Sequence, residues 1–353
     1  MTPRHNDEGH RSERRGVRLA ISTLGLALMS AAPSSAVDDA VLTAERPPMH
    51  FADFGFFLDT AATRPAPRVT GYGLNSALFS DHADKARYIY VPPGDTLRYD
   101  GEGLLQFPVG SAMVKHFGFT RTDGSLDLIE SRVLVKTAAG WAAYPYVWNA
   151  DDSDAVLKRA GARLKVAGHD ADGAPLALDW RVPNVNQCKG CHAVAGELMP
   201  IGPKARNLNG SFAGENNLAR LTRFGLLTGV PQNVPAMPDW HDEAASVDAR
   251  ARAYLDVNCG HCHNPAGPAS NSGLNLTWET QAGPELGINK APVAAGRGSG
   301  GRHVAIAPGD PDGSILLYRM DSTEAGVMMP ELARTQRDGA AVDLIREWIE
   351  EMR

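Results

Sequence analysis

Cys259-Gly260-His261-Cys262-His263 decides how the last third of the chain is read, and Cys188-Lys189-Gly190-Cys191-His192 repeats its pattern. Both read C-x-x-C-H, the spacing by which two thiols fix the vinyl groups of a haem as thioethers while the adjoining imidazole takes the iron. On one helical turn, sulfurs at i and i+3 and an imidazole at i+4 all reach one porphyrin. The chain has 4 cysteines, so none is left for a disulfide once both haems are attached. Other uses of such pairs fit less well. Zinc ribbons join their knuckles by short spacers, whereas 67 residues separate Cys191 from Cys259. For redox dithiols or a structural disulfide, the histidine after both pairs would be a coincidence of roughly one in a thousand.

The address agrees with that chemistry. Arg11, Arg14, Arg15 and Arg18 precede an apolar run from Leu19 to Ala32, and Ser34-Ser35-Ala36 offers small residues for cleavage. The run is too short to span a bilayer, so residues 1 to 36 read as a signal peptide cleaved near Ala36. No later run is long enough for a transmembrane segment. Haem c is attached after export, which points to the periplasm and favours the general secretory route over the twin-arginine one suggested by Arg14-Arg15. The full chain carries 35 Lys and Arg against 41 Asp and Glu. Removing residues 1 to 36 leaves 30 against 38, a net charge of about −8. That balance argues against nucleic acid and anionic membrane as partners, and leaves redox partner proteins or a small-molecule substrate.

The expected fold class is α+β: an N-terminal antiparallel β domain ending in a haem c motif, followed by a small all-α domain like cytochrome c. Residues 37 to 66 are Pro-rich with one apolar patch, Phe51 to Leu58, and read as an extended arm. Residues 67 to 240 hold the β-rich part, the first motif and a helical tail with linker; residues 241 to 353 hold the second motif. Alternation predicts a strand at Ala86 to Val91, turned by Pro92-Pro93-Gly94-Asp95. Further strands are expected at Leu104 to Pro108, Ala112 to Thr120, Leu126 to Thr137, Trp141 to Val147 and Leu176 to Trp180, with turns at Thr122-Asp123-Gly124, Ala139-Gly140 and Asp170 to Gly173. Lys115 and His116 read either as alternate faces of an edge strand or as polar groups over the first haem. A helix is expected from Asn216 to Leu227 and a linker from Thr228 to Trp240.

In the last part, Ser246 caps a helix running into Cys259, and Asp338 caps a final helix with Val342, Ile345, Trp348, Ile349 and Met352 on one face. The two are expected to cross beside the haem. His192 and His263 are the proximal ligands. Met329, in a Met-Pro loop before the final helix, is the expected sixth ligand of the second haem, ahead of Met328 and Met320; such ligation raises the potential. Core filling is the ordinary role of such methionines. For the first haem Met199, His169, His241 and an open sixth position stand side by side. His261 reads as a partly exposed histidine at a haem edge.

Tyr72-Gly73-Leu74-Asn75-Ser76-Ala77-Leu78-Phe79-Ser80-Asp81, Phe107 to Gly110, Leu128 to Arg132, Pro145 to Asn149, Asn186-Gln187 and Pro200 to Asn207 resemble a family of exported, largely uncharacterised dihaem c-type cytochromes. Pro308 to Pro311, Ser314, Arg319-Met320 and Met328-Met329-Pro330 are similar to the cytochrome c module of exported bacterial oxidoreductases, which supports Met329. A β domain ending in C-x-x-C-H, with the Phe107 to Lys115 run, also resembles the β-sheet cytochromes c-prime, and that likeness implies a five-coordinate first haem. The expected function is single-electron transfer through two covalent haems. The alternative is a haem enzyme or gas sensor whose first haem acts on a small molecule while the second relays electrons.

Overall fold

The computed structural model describes residues 37 to 353; the expected signal peptide lies outside them. The described residues all belong to one compact unit. They form a mixed α+β fold with a large antiparallel sheet and several helices. Among them no helix is long and apolar enough to cross a membrane.

Six strands pair in chain order: β1 (Val69–Gly71), β2 (Asp84–Tyr90), β3 (Ala112–Thr120), β4 (Leu126–Thr137), β5 (Gly140–Trp148) and β6 (Ala155–Leu157). Each neighbouring pair is antiparallel. Alternating side chains give the sheet two faces. One face presents Tyr90, Val114, Val133, Tyr146 and Trp148, and it is covered by Phe51, Phe54 and Phe56. The arm therefore supplies core rather than lying on the surface. The other face presents Arg87, Lys115 and Arg132, joined in one cross-strand row by the pairs Arg87↔Lys115 and Lys115↔Arg132. A bulge between Phe117 and Gly118 adjusts β3 against β4. A Cβ at Gly118 would stand 2.1 Å from the Asp127 carbonyl oxygen, so only glycine allows that approach.

Strand β3 sits between β2 and β4 and is not an edge strand, which corrects the sequence reading of Lys115 and His116. His116 turns to the aromatic face, with ring centroids of Phe51, Phe57, Tyr88 and Trp148 at 5.7, 5.2, 5.6 and 6.0 Å. Its Nδ1 meets Ser131 Oγ at 2.5 Å.

A second hairpin, β7 (Ala162–His169) with β8 (Pro175–Val182), is closed by the expected Asp170 to Gly173 turn. Leu104 to Pro108 is not a sheet strand: only Leu104 and Gln106 form isolated bridges, to Lys204 and Arg98. Helix α1 (Val185–His192) carries the first motif. Helix α2 (Asn217–Arg223) stops short of the expected Leu227, because Leu227-Thr228 leaves to pair in parallel with Leu97-Arg98. The stretch before residue 241 is irregular yet anchored, with Met237 and Trp240 buried in the same cluster as Tyr254, Leu255, Ile345 and Trp348.

Helix α3 (Val247–Asn258) is capped by Ser246 Oγ, which accepts from Ala249 N. Helix α4 (Ile315–Asp321) is short, and α5 (Gly339–Glu351) is capped by Asp338. Val342, Ile345, Trp348 and Ile349 of α5 are buried against Tyr254 and Leu255 of α3. Each such side chain contributes roughly 1.5–3 kcal/mol of apolar burial. Trp348 Nε1 adds a bond to Asp248 Oδ1 at 2.8 Å.

Burial pushes the His116 imidazole down to about 3, whereas an unfolded chain protonates histidine near about 6.5. Between those values the unfolded state binds more protons, so stability is lost as pH falls, by up to about 1.4 kcal/mol per pH unit from this group. His116→Gln is expected to flatten the acid limb of a stability-against-pH curve by about one proton. A variant curve parallel to wild type would mean that His116 is already charged in the fold.

Candidate haem sites

Helix α1 begins at a capping box: Asn184 Oδ1 accepts from Gln187 N at 2.8 Å and Gln187 Oε1 from Asn184 N at 3.0 Å. The helix thus starts three residues before Cys188 and carries the whole motif in register. Cys188 is buried beside Ala143 and Leu198. His192 Nδ1 lies 2.8 Å from the Met199 carbonyl oxygen. A carbonyl only accepts, so Nδ1 holds the proton and Nε2 keeps its lone pair, the arrangement a metal-bound imidazole needs. Burial is the main reason the ring's pKa falls to about 4, which leaves it neutral at pH 7.

This motif opens onto a cavity of about 480 Å³, within the range of small-molecule and cofactor sites. Its walls include Cys188, Cys191 and His192 on one side and Arg87, Lys115 and Arg132 of the sheet on another. Asp256, Val257 and Leu332 of the second half close it. The donor set and the space both fit a covalent haem. Of the expected sixth ligands, none of Met199, His169 and His241 lines this cavity, while Met113 and Lys115 do. Met199 serves through its backbone carbonyl, and His241 stacks on Trp240 at the surface.

The second motif begins where α3 ends. Cys259 is the C-cap, and both Cys262 N and His263 N bond to its carbonyl, at 3.0 and 2.9 Å, so one further turn keeps the motif's geometry. His263 Nδ1 lies 3.0 Å from Ser272 Oγ. Burial foremost, then Arg319 and His261, bring its pKa to about 4. Cys259 is half-buried, and desolvation pushes its thiol up to about 12.

Here the space differs. The adjacent cavity is about 40 Å³, room for a few waters rather than a macrocycle. Met329 and Met320 line it with Cys191, His261 and Arg334; His263 and Met328 do not. Arg334 is 4 % exposed and donates to the carbonyls of Met320, Ser322 and Met329 at 3.2, 2.7 and 2.9 Å. The donors suit a haem, but the volume does not until Arg334 and the loop around it move outward.

The two motifs meet in space. Ligand atoms of Cys191, His261 and Cys262 all lie within 4.8 Å of one another. Cys262 Sγ lies 3.4 Å from the Gly190 carbonyl oxygen. The closeness of the two thiols pulls the Cys191 pKa down and pushes the Cys262 pKa up. The long spacer that argued against a shared metal therefore sets no distance between the second cysteines. His261 is partly exposed, as expected, and lies beside Cys191 and Cys262 where the two motifs meet.

A buried carboxylate holds this arrangement. Asp256, fully buried on α3 one turn before Cys259, accepts from Lys204 Nζ at 2.8 and 2.7 Å and from Trp278 N at 3.0 Å. Arg206, 2 % exposed, lies 3.5 Å from the same carboxylate and also pairs with Glu279. The 72 to 81 segment adds a strap: Phe79 N donates to Asn258 Oδ1 at 2.8 Å, and Asp81 accepts from Thr335 N and Gln336 N, each at 2.7 Å. Phe79, Asp81, Lys204 and Arg206 lie in stretches that the sequence marked by resemblance, whereas nothing in the sequence marked Asp256, Trp278 or Glu279 as their partners.

Compared with protein-family models, curated proteins and solved structures, the chain matches none.

Asp256→Asn leaves Lys204 and Arg206 without their buried counter-charge, and is expected to cost about 3–5 kcal/mol. Glu279→Gln removes a largely exposed partner and is expected to cost under about 1 kcal/mol. Guanidinium unfolding midpoints measure both; equal shifts would remove Asp256 as the interlock.

Proposed function

We propose that this chain is an exported, periplasmic dihaem c-type cytochrome that passes single electrons between redox partners. The observation that carries the reading is the first motif: Cys188, Cys191 and a neutral His192 with its Nδ1 anchored face one cavity of about 480 Å³. Haem supplies single-electron cycling of its iron when bound. The chain's own residues do the rest. Cys188 and Cys191 fix the macrocycle's edge, the Met199 carbonyl holds His192 in one tautomer, and the sheet excludes water from one side. At the second motif Cys259, Cys262 and His263 would take the same roles, and Met329, which lines the small cavity there, would be the further ligand. The nearness of Cys191 and Cys262 supports the reading, because haems attached at those sulfurs would have neighbouring edges, which suits electron exchange within one chain.

A second reading is favoured by one observation: among the described residues, the first cavity is lined by no histidine besides His192, and by Met113 as its one methionine. A first haem left open to small molecules would make the protein a haem enzyme or gas sensor, with the second haem as relay. The close Cys191, His261 and Cys262 trio also has the chemistry of a zinc site, but zinc gives no role to Cys188, to His192 or to the cavity.

Haem staining after denaturing electrophoresis, with pyridine haemochrome quantitation, decides among these. Wild type exported in a host that matures cytochromes c is expected to carry two haems per chain. Replacing Cys188 and Cys191 by serine, or Cys259 and Cys262, should leave one in each case. Absence of stain in wild type would end the haem reading. A carbon monoxide shift in the reduced protein that survives loss of the second motif would favour the enzyme or sensor.

A further inference from the structure

Arg87, Lys115 and Arg132 stand directly opposite one another on three adjacent strands, all on the cavity face. Like charges placed so are mutually destabilising, and the low polarity of a closed cavity sharpens the repulsion. The row is only partly compensated. Glu130, fully buried, binds Arg132 through two bonds of 2.6 and 2.9 Å and takes Trp180 Nε1 at 3.0 Å, so it is committed. The Phe117 ring lies under Lys115 Nζ at 4.7 Å and Arg132 Cζ at 4.4 Å, a weaker form of relief. Among the described residues, Arg87 and Lys115 have no carboxylate partner. The carboxylates that reach the far wall are engaged elsewhere: Asp256 by Lys204 and Arg206, Glu331 by Arg319. At the cavity's rim Arg163 and Arg181, exposed, also face each other across the second hairpin.

Besides Lys204, which Asp256 neutralises, five cations surround this cavity, three in one row of the large sheet and two on the second hairpin, and such a concentration calls for something to offset it. We infer that this wall is an oxyanion-binding surface of the first site, on which Arg87 and Lys115 seat a carboxylate or a small inorganic oxyanion beside His192. Two sources share that chemistry: the propionate carboxylates of the haem itself, or a separate small oxyanion entering past Arg163 and Arg181. The first source rests on the haem reading, whereas the second does not. Burial foremost, and then Arg87, Lys85 and Arg132, push the Lys115 pKa well below its ordinary value. An anion on the wall would reverse that pressure, so occupancy and charge support each other.

The test uses the exported, haem-loaded full chain with Lys115→Met, Arg87→Met and, as a control on the opposite face of β3, His116→Gln. Sodium nitrite is titrated against sodium chloride at equal ionic strength, followed by Soret absorption and by calorimetry. Saturable nitrite binding that weakens roughly tenfold or more in both methionine variants and not in His116→Gln assigns the wall to a separate oxyanion. If wild type ignores nitrite, but both methionine variants keep their covalent haem while shifting its reduction potential, the wall serves the haem carboxylates. Methionine variants indistinguishable from wild type in titration and potential would overturn the inference. Melting temperatures at or above wild type show that the variants are folded, because each loses a repulsive charge; should one fail to fold, the other carries the test. Wild type without haem stain would sink the haem reading alone, and the calorimetric titration would still decide the wall.

Discussion

Asp256 is the constraint on which the arrangement of both motifs depends. It is a fully buried carboxylate, and such a group is tolerated only when its acceptor positions are filled by cations and N–H donors. Lys204, Arg206 and Trp278 N fill them. Lys204 and Arg206 follow the first motif closely, while Asp256 precedes the second by one helical turn. Satisfying one charge therefore brings two stretches far apart in sequence to the same place, and Cys191 meets Cys262. Loss of the carboxylate would strand two cations, so the interlock is specific as well as stable.

The two sites that share this contact differ in what surrounds them. The first is backed by the six-stranded sheet, whose cross-strand register fixes Arg87, Lys115 and Arg132 in one row. Its cavity keeps its shape because strands resist collapse. The second is closed by loops around Met329, and Arg334 knits their carbonyls together through several hydrogen bonds. One buried guanidinium satisfies those carbonyls, so the loops around it are held by a single side chain rather than by strand pairing. The first site is accordingly open, with a cavity of about 480 Å³, and the second is nearly filled, with about 40 Å³.

Much of the architecture was legible in the sequence because it follows local rules. Alternation and Asp-Gly turns marked β3, β4 and β5 closely, and Ser246 and Asp338 marked two helix starts by their capping chemistry. Where tertiary pairing competes with local preference, the reading failed. Leu227 leaves its helix to pair with Leu97, and Leu104 to Pro108 has strand-forming residues but no neighbouring strand to join. Strand order is also invisible in one sequence, so β3 read as an edge although it lies inside the sheet. The cationic row depends on register across three strands, and nothing local distinguishes Arg87 or Arg132. The C-x-x-C-H motifs and both imidazoles were plain from spacing alone. Their meeting through Cys191, His261 and Cys262 was not, because a 67-residue spacer sets no distance in space.

The fold thus presents two C-x-x-C-H motifs that meet at their second cysteines, one beside a roomy cationic cavity and one under a closed loop. Peptide mass mapping of the exported protein reports directly on what those sulfurs become. The account predicts two separate peptides, one spanning Cys188 to His192 and one spanning Cys259 to His263, each increased by the mass of one haem. A single cross-linked peptide joining Cys191 to Cys262, or two unmodified peptides, would contradict it.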